Sequence, residues 1–85
     1  MGQVAVTMKV ILEGPDVDAE RVKQELVTRI KNIRQIEEKE IAFGLKYFEI
    51  LLVFEDRPGG TDEIENKILE IPGVASVESG DITLI

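Results

Sequence analysis

The stretch from Leu45 to Glu55 constrains this chain more than any other. Phe48, Ile50, Leu52 and Phe54 alternate with Tyr47, Leu51 and Val53, so an extended segment here is apolar on both faces. Such a strand belongs inside a sheet, with neighbours along both edges and a layer packed on at least one face. The chain has 85 residues in which to build that sheet, which points to a single domain over 1–85. A domain of this size buries about 60–65% of the surface its unfolded chain exposes. That is enough for one sheet-and-helix core and too little for a deep substrate cavity.

The remaining segments supply the other layers. Val4, Val6, Met8 and Val10 alternate with Ala5, Thr7, Lys9 and Ile11, a strand with one strongly apolar face that ends at the turn Glu13-Gly14-Pro15-Asp16. Asp16 or Asp18 then offers a side-chain acceptor for the free amides of a helix. Val22, Leu26 and Ile30 form its apolar stripe, with Val27 beside them, and Arg21, Glu25 and Arg29 are spaced for i,i+4 ion pairs on the solvent side. Ile33 to Ile41 reads as a second strand, charged enough to belong at a sheet edge. Ala42-Phe43-Gly44 separates it from the two-sided strand. Asp56-Arg57-Pro58-Gly59-Gly60 is a break, after which Asp62 and Glu65 have the spacing of a capping pair. Ile64, Ile68 and Ile71 give a short helix stopped by Pro72-Gly73, and Val74 to Leu84 forms the last strand, with a kink expected at Gly80. The order βαββαβ, with right-handed crossovers and short connections, predicts an α+β, ferredoxin-like fold. Its four-stranded antiparallel sheet carries both helices on one face, with the first and third strands central.

Composition removes several functions that this fold hosts. Cysteine and histidine are both absent, so there is no thiol nucleophile, imidazole base, disulfide or Cys/His zinc site. The 17 acidic residues exceed the 10 basic ones, and a net charge of −7 repels nucleic acid and anionic membrane alike. An acidic chain is better suited to a basic patch on another protein. Base stacking on the open sheet face would have only Tyr47 to use. Asp16 and Asp18 lack the further spaced ligands of a calcium loop, and Gly59-Gly60 lacks the Lys-Ser or Lys-Thr of a phosphate cradle. The opening Met1-Gly2-Gln3-Val4-Ala5-Val6 has neither the basic start nor the apolar core of a secretion signal, and Ile50 to Phe54 is far too short to span a membrane. The expectation is a cytoplasmic protein that is not an enzyme and uses no cofactor or metal. High charge, 32% of residues, with few Asn and Gln, leans toward a thermophilic source.

One segment stands out. Glu40-Ile41-Ala42-Phe43-Gly44-Leu45 puts an aromatic beside a glycine at a hairpin tip, which the residues alone read either as local packing or as a binding anchor. The segment resembles the signature that opens the third strand in archaeal elongation factor 1-beta. The other landmarks follow in that family's order: Val10 to Asp18 with its Pro-containing turn and acidic helix start, Gly59-Gly60-Thr61 before the second helix, Gly73-Val74-Ala75-Ser76-Val77 opening the last strand, and Asp81-Ile82-Thr83 near the end. The likeness covers essentially the whole chain, here as a stand-alone domain.

That resemblance implies promotion of GDP release from the elongation-factor GTPase that delivers aminoacyl-tRNA, with no catalytic side chain required. It implies an anchor at Phe43, with Ile41, Ala42 and Gly44 shaping the tip, and a second contact at the carboxyl end, for which position alone offers Thr83, Leu84 and Ile85. In eukaryotic relatives a Lys close to the last residue reaches toward the magnesium site. Here the last basic residue is Lys67, so that role is carried over to no residue and the final segment stands equally as a structural edge strand. The free protein is expected to be monomeric, although Tyr47, Leu51 and Val53 offer a surface for self-association. The competing expectation is an ACT-like regulatory module that binds a small amino acid, with Gly14 in its first loop.

Overall fold

The computed structural model describes residues 2–55 and 58–85. It contains β1 (Gln3–Leu12), α1 (Ala19–Arg29), β2 (Ile33–Ala42), β3 (Leu45–Glu55), α2 (Gly60–Leu69) and β4 (Val74–Leu84). The strands form one sheet in the order β2-β3-β1-β4, antiparallel throughout, and the fold is ferredoxin-like as expected. The two-sided strand β3 is interior, and the charged strand β2 is an edge.

Register explains the core. Val10 lies opposite Phe48, Met8 opposite Ile50, Val6 opposite Leu52 and Val4 opposite Phe54, so the apolar faces of β1 and β3 form one continuous surface. Val22, Leu26 and Ile30 of the first helix segment and Ile64, Ile68 and Ile71 of the second close over it. Burial of each such side chain is worth roughly 1.5–3 kcal/mol. Every residue of this layer is apolar, and among the described residues no polar or charged side chain is buried.

The helices depart from expectation at one flank of α1 and at the start and end of α2. α1 is capped by Asp18, which accepts a hydrogen bond from the Arg21 amide at 3.3 Å. Glu25 pairs with Arg21 and Arg29 at 3.2 and 3.4 Å, as the spacing predicts. Val27, however, is 53% exposed: its position one residue on from Leu26 turns it off the buried Val22–Leu26–Ile30 stripe. The capping pair expected at Asp62 and Glu65 does not form. The cap of α2 lies three residues earlier, at a left-handed Gly59 that offers no side chain, and Glu65 instead accepts a hydrogen bond from the Ser79 hydroxyl at 3.4 Å. Ile71 is buried but lies beyond the helix, after the cap at Glu70. The break expected at Asp56 and Arg57 lies outside the described residues.

Two glycines are required by close approaches. Gly73 has φ +100°, and a Cβ there would stand 2.8 Å from Val17 Cγ1. Its carbonyl accepts from the Glu13 amide at 2.9 Å, while the Arg21 guanidinium donates to the neighbouring Pro72 carbonyl at 2.8 Å. The loops after β1 and after α2 are thereby tied together. Gly80 produces the expected kink: the β1–β4 register shifts between Val6 and Met8, and the Thr7 carbonyl oxygen comes to 3.1 Å from where a Gly80 Cβ would be.

Leu26 and Val27 give a direct check on which helix face is packed. Urea denaturation of Leu26→Ala should show a loss of about 2–5 kcal/mol, whereas Val27→Ala should change stability by less than about 0.5 kcal/mol.

Candidate functional site

Ala42 pairs with Leu45, leaving Phe43-Gly44 as a two-residue loop between β2 and β3. Both loop residues have positive φ, +55° and +79°, the pattern of a type I′ hairpin turn. The right-handed twist of the strands favours that turn, and Asn-Gly is its preferred pair because few side chains tolerate left-handed backbone. A phenylalanine in the first place costs roughly 1–2 kcal/mol. It gains nothing locally, since the side chain is 100% exposed. Phe48 and Phe54, by contrast, are buried in the core. The structure thus leaves Phe43 without the local packing that was one of its two sequence readings.

The stem that holds this tip is braced on both faces. On the helix side Lys46 reaches Glu38 at 3.2 Å. On the open side Lys39 reaches Glu49 at 3.3 Å and Glu37 at 3.8 Å. The Lys39 pKa is raised, first by its hydrogen bond to Glu49 and then by the charge of that carboxylate. Any stability this lends is complete below the ordinary lysine range and fades only as pH rises through the raised value, far from neutrality. The Lys9 ammonium sits 5.7 Å from the centre of the Tyr47 ring. Behind the turn, the Pro15 side chain lies 3.4 Å from where a Gly44 Cβ would stand, so the β1–α1 loop supports the hairpin.

The predicted residues do not form one patch. Ile41, Ala42, Phe43 and Gly44 occupy the end of the sheet where β1 finishes and β3 begins. Thr83 and Leu84 pair with Ala5 and Val4, which lie opposite Val53 and Phe54. Leu45 and Phe54 are nine residues apart on β3, so the two sets are about 30 Å apart at ~3.3 Å per residue. The last segment remains a paired strand to its end, with the Ile85 amide donating to the Gln3 carbonyl at 2.9 Å. Leu84 and Ile85 are each 71% exposed. Ile82, not singled out from sequence as a contact residue, is 59% exposed on the same sheet face as Leu84. The i,i+2 spacing of Ile82 and Leu84 was the available signal.

Among the described residues no ionisable group is withdrawn from water, so none has the desolvated setting that proton transfer or covalent chemistry exploits. Nor is there a cluster of acidic side chains able to hold a metal ion among them. No described helix is long and apolar enough to cross a membrane. What the surface offers is shape: a paired hairpin with an exposed aromatic at its tip.

Residues 5–85 match the EF-1 guanine nucleotide exchange domain. The chain belongs to that family. Its role is therefore guanine-nucleotide exchange in translation elongation. Relatives named elongation factor 1-beta include one from Methanosphaerula palustris, 39% identical over 99% of both chains. Another, from Methanothermobacter thermautotrophicus, is 40% identical over 96% of both. One from Thermoplasma acidophilum is 32% identical over the full length of both. Among solved structures, the ACT domain of GTP pyrophosphokinase from Chlorobium tepidum is similar with a TM-score of 0.62, covering 94% of this chain and 100% of that one at 16% identity. At that identity the likeness speaks for the fold alone, so the amino-acid-binding alternative keeps only a shared architecture.

The exchange domain carries a turn whose residue choice opposes its stability. Replacing Phe43 by Asn, which accepts left-handed backbone and forfeits no contact, should raise the thermal midpoint, by the equivalent of about 1 kcal/mol. A fall in the midpoint by calorimetry would mean that Phe43 packs locally after all.

Proposed function

We propose that this exchange domain speeds the replacement of GDP by GTP on the elongation-factor GTPase that delivers aminoacyl-tRNA, and that Phe43 is its principal anchor on that partner. The carrying observation is the fully exposed Phe43 on left-handed backbone, an arrangement that costs the free protein stability and leaves the ring available to another molecule. Ile41, 53% exposed, and Ala42 broaden the apolar tip, and Gly44 lets the turn close.

Exchange needs no catalytic group. If the domain binds the nucleotide-free GTPase more tightly than the GDP-bound form by some factor, GDP binds the complex more weakly by the same factor. An anchor that fits only the nucleotide-free conformation converts its contact energy into nucleotide release. A buried aromatic of this kind carries about 2 kcal/mol or more, which corresponds to roughly a 30-fold change in affinity. In this reading Thr83, Leu84 and Ile85 form a second footprint at the other end of the sheet, where contact is apolar and steric because no basic residue follows Lys67. The domain acts as a monomer that spans the two footprints, without contact to nucleic acid or membrane.

Release of a fluorescent GDP analogue from the GTPase tests the reading. Substoichiometric amounts of the chain should accelerate release. Phe43→Asn, folded and at least as stable, should need roughly 30-fold more protein for the same rate. An unaltered rate for that variant would remove Phe43 as the anchor. No acceleration by the unmodified chain would remove the exchange reading itself.

A further inference from the structure

The Phe43 turn stands on an overhang. The pairing of β1 with β3 ends at Ile11 opposite Tyr47, so Leu45 and Lys46 run on with β2 as their one neighbouring strand. The register of that last piece shifts between Glu40 and Ala42, leaving Ile41 as the extra residue of a bulge. A bulge bends and twists its strand, and a two-stranded ribbon without further support is marginal in water. The ion pairs of the stem join β2 to β3 and so lie within the ribbon. Pro15 meets it from outside. A Cβ at Gly44 would stand 3.4 Å from the Pro15 Cβ, and among the described residues nothing else beyond the chain neighbours of Gly44 comes within 4 Å of that point. Gly44 is accordingly half-buried, while Phe43 beside it is fully exposed.

The loop that carries Pro15 is itself tied down. The proline ring fixes φ at about −65°. Across it the Val17 amide donates to the Gly14 carbonyl at 3.3 Å, and just before it the Glu13 amide donates to the Gly73 carbonyl at 2.9 Å. Leu12, at the root of the loop, is buried and pairs with Val74. The loop therefore joins the sheet on one side and meets the turn on the other. We propose that Pro15 is a positioning residue for exchange: it restrains the overhanging turn, so that Phe43 meets the GTPase already oriented and binding does not have to order it. The inference rests on the reading of Phe43 as the anchor and adds how that anchor is aimed. Pro15 acts through Gly44 and requires no contact of its own with the partner.

Two substitutions separate the contact from the ring. Pro15→Gly removes the contacting Cβ and Pro15→Ala keeps it; Pro15 is exposed, so both should retain the native circular dichroism. Nitrogen-15 relaxation on the free chain reads the restraint. The Gly44 amide should show an order parameter of about 0.85, falling below about 0.6 in Pro15→Gly and staying high in Pro15→Ala. A low value in the unmodified chain, or an unchanged one in Pro15→Gly, would overturn the restraint. Fluorescence anisotropy with the nucleotide-free GTPase reads the function. Pro15→Gly should bind about three- to tenfold more weakly, Pro15→Ala within about twofold of the unmodified chain. Added to Phe43→Asn, Pro15→Gly should cost nothing further, because it acts through the side chain already removed. Losses that add in full would overturn positioning in favour of a separate contact, and Pro15→Ala as weak as Pro15→Gly would overturn the Cβ contact as the cause. Full-strength binding by Phe43→Asn would instead sink the anchor reading, and this inference with it. Failure of the unmodified chain to bind would sink the exchange reading; the relaxation measurement, which uses no partner, tells these failures apart from loss of the restraint.

Discussion

The antiparallel pairing of β1 with β3 is the contact on which the rest of this structure depends. It sets Val10, Met8, Val6 and Val4 against Phe48, Ile50, Leu52 and Phe54, creating an apolar surface wide enough for two helices. A slip of one residue would turn every one of those side chains to the other face. The helices therefore follow the register rather than set it. The same pairing carries the end of β1 toward the start of β3, which brings the Glu13–Asp18 loop against the base of the hairpin tip.

The Phe43 turn is where that order is least favourable. The hairpin needs a turn with two left-handed residues, and the chain supplies a phenylalanine for one of them. Core positions take their residues from packing; Phe43 has no packing to explain it. Local cost without local return is what an intermolecular contact leaves behind in the free protein. Ion pairs between Glu38 and Lys46 and between Lys39 and Glu49 lie along the stem, one on each face. In the proposed reading, an exchange protein with no buried acid, base or nucleophile among its described residues works through complementarity to one conformation of its partner.

Much of the fold was legible because its signals are local. Alternation in β1 and β3 and the Val22–Leu26–Ile30 spacing each reflect the geometry of a single element. The departures lie at the flank of α1 and at the start of α2. Val27 stands beside the stripe in sequence, and spacing alone cannot say how far the packed face extends around the helix. Asp62 and Glu65 had the right separation for a capping pair, yet α2 starts at Gly60, where the Pro58-Gly59 turn already bends the chain. Which aspartate caps α1 was left open by sequence, and the path of the loop decided for Asp18.

The candidate site divides along the same line. Sequence alone determined that a thiol nucleophile, an imidazole base and a Cys/His zinc site were out of reach, that an aromatic stood beside a glycine between two strands, and that the chain resembled an exchange family. These follow from residue type and order. Tertiary structure alone decided that Phe43 is fully exposed and left-handed, that Thr83 to Ile85 lie some 30 Å away at the other end of the sheet, and that Pro15 stands against Gly44. Those facts depend on strand pairing and chain reversal, which place residues distant in sequence side by side and neighbouring ones on opposite faces.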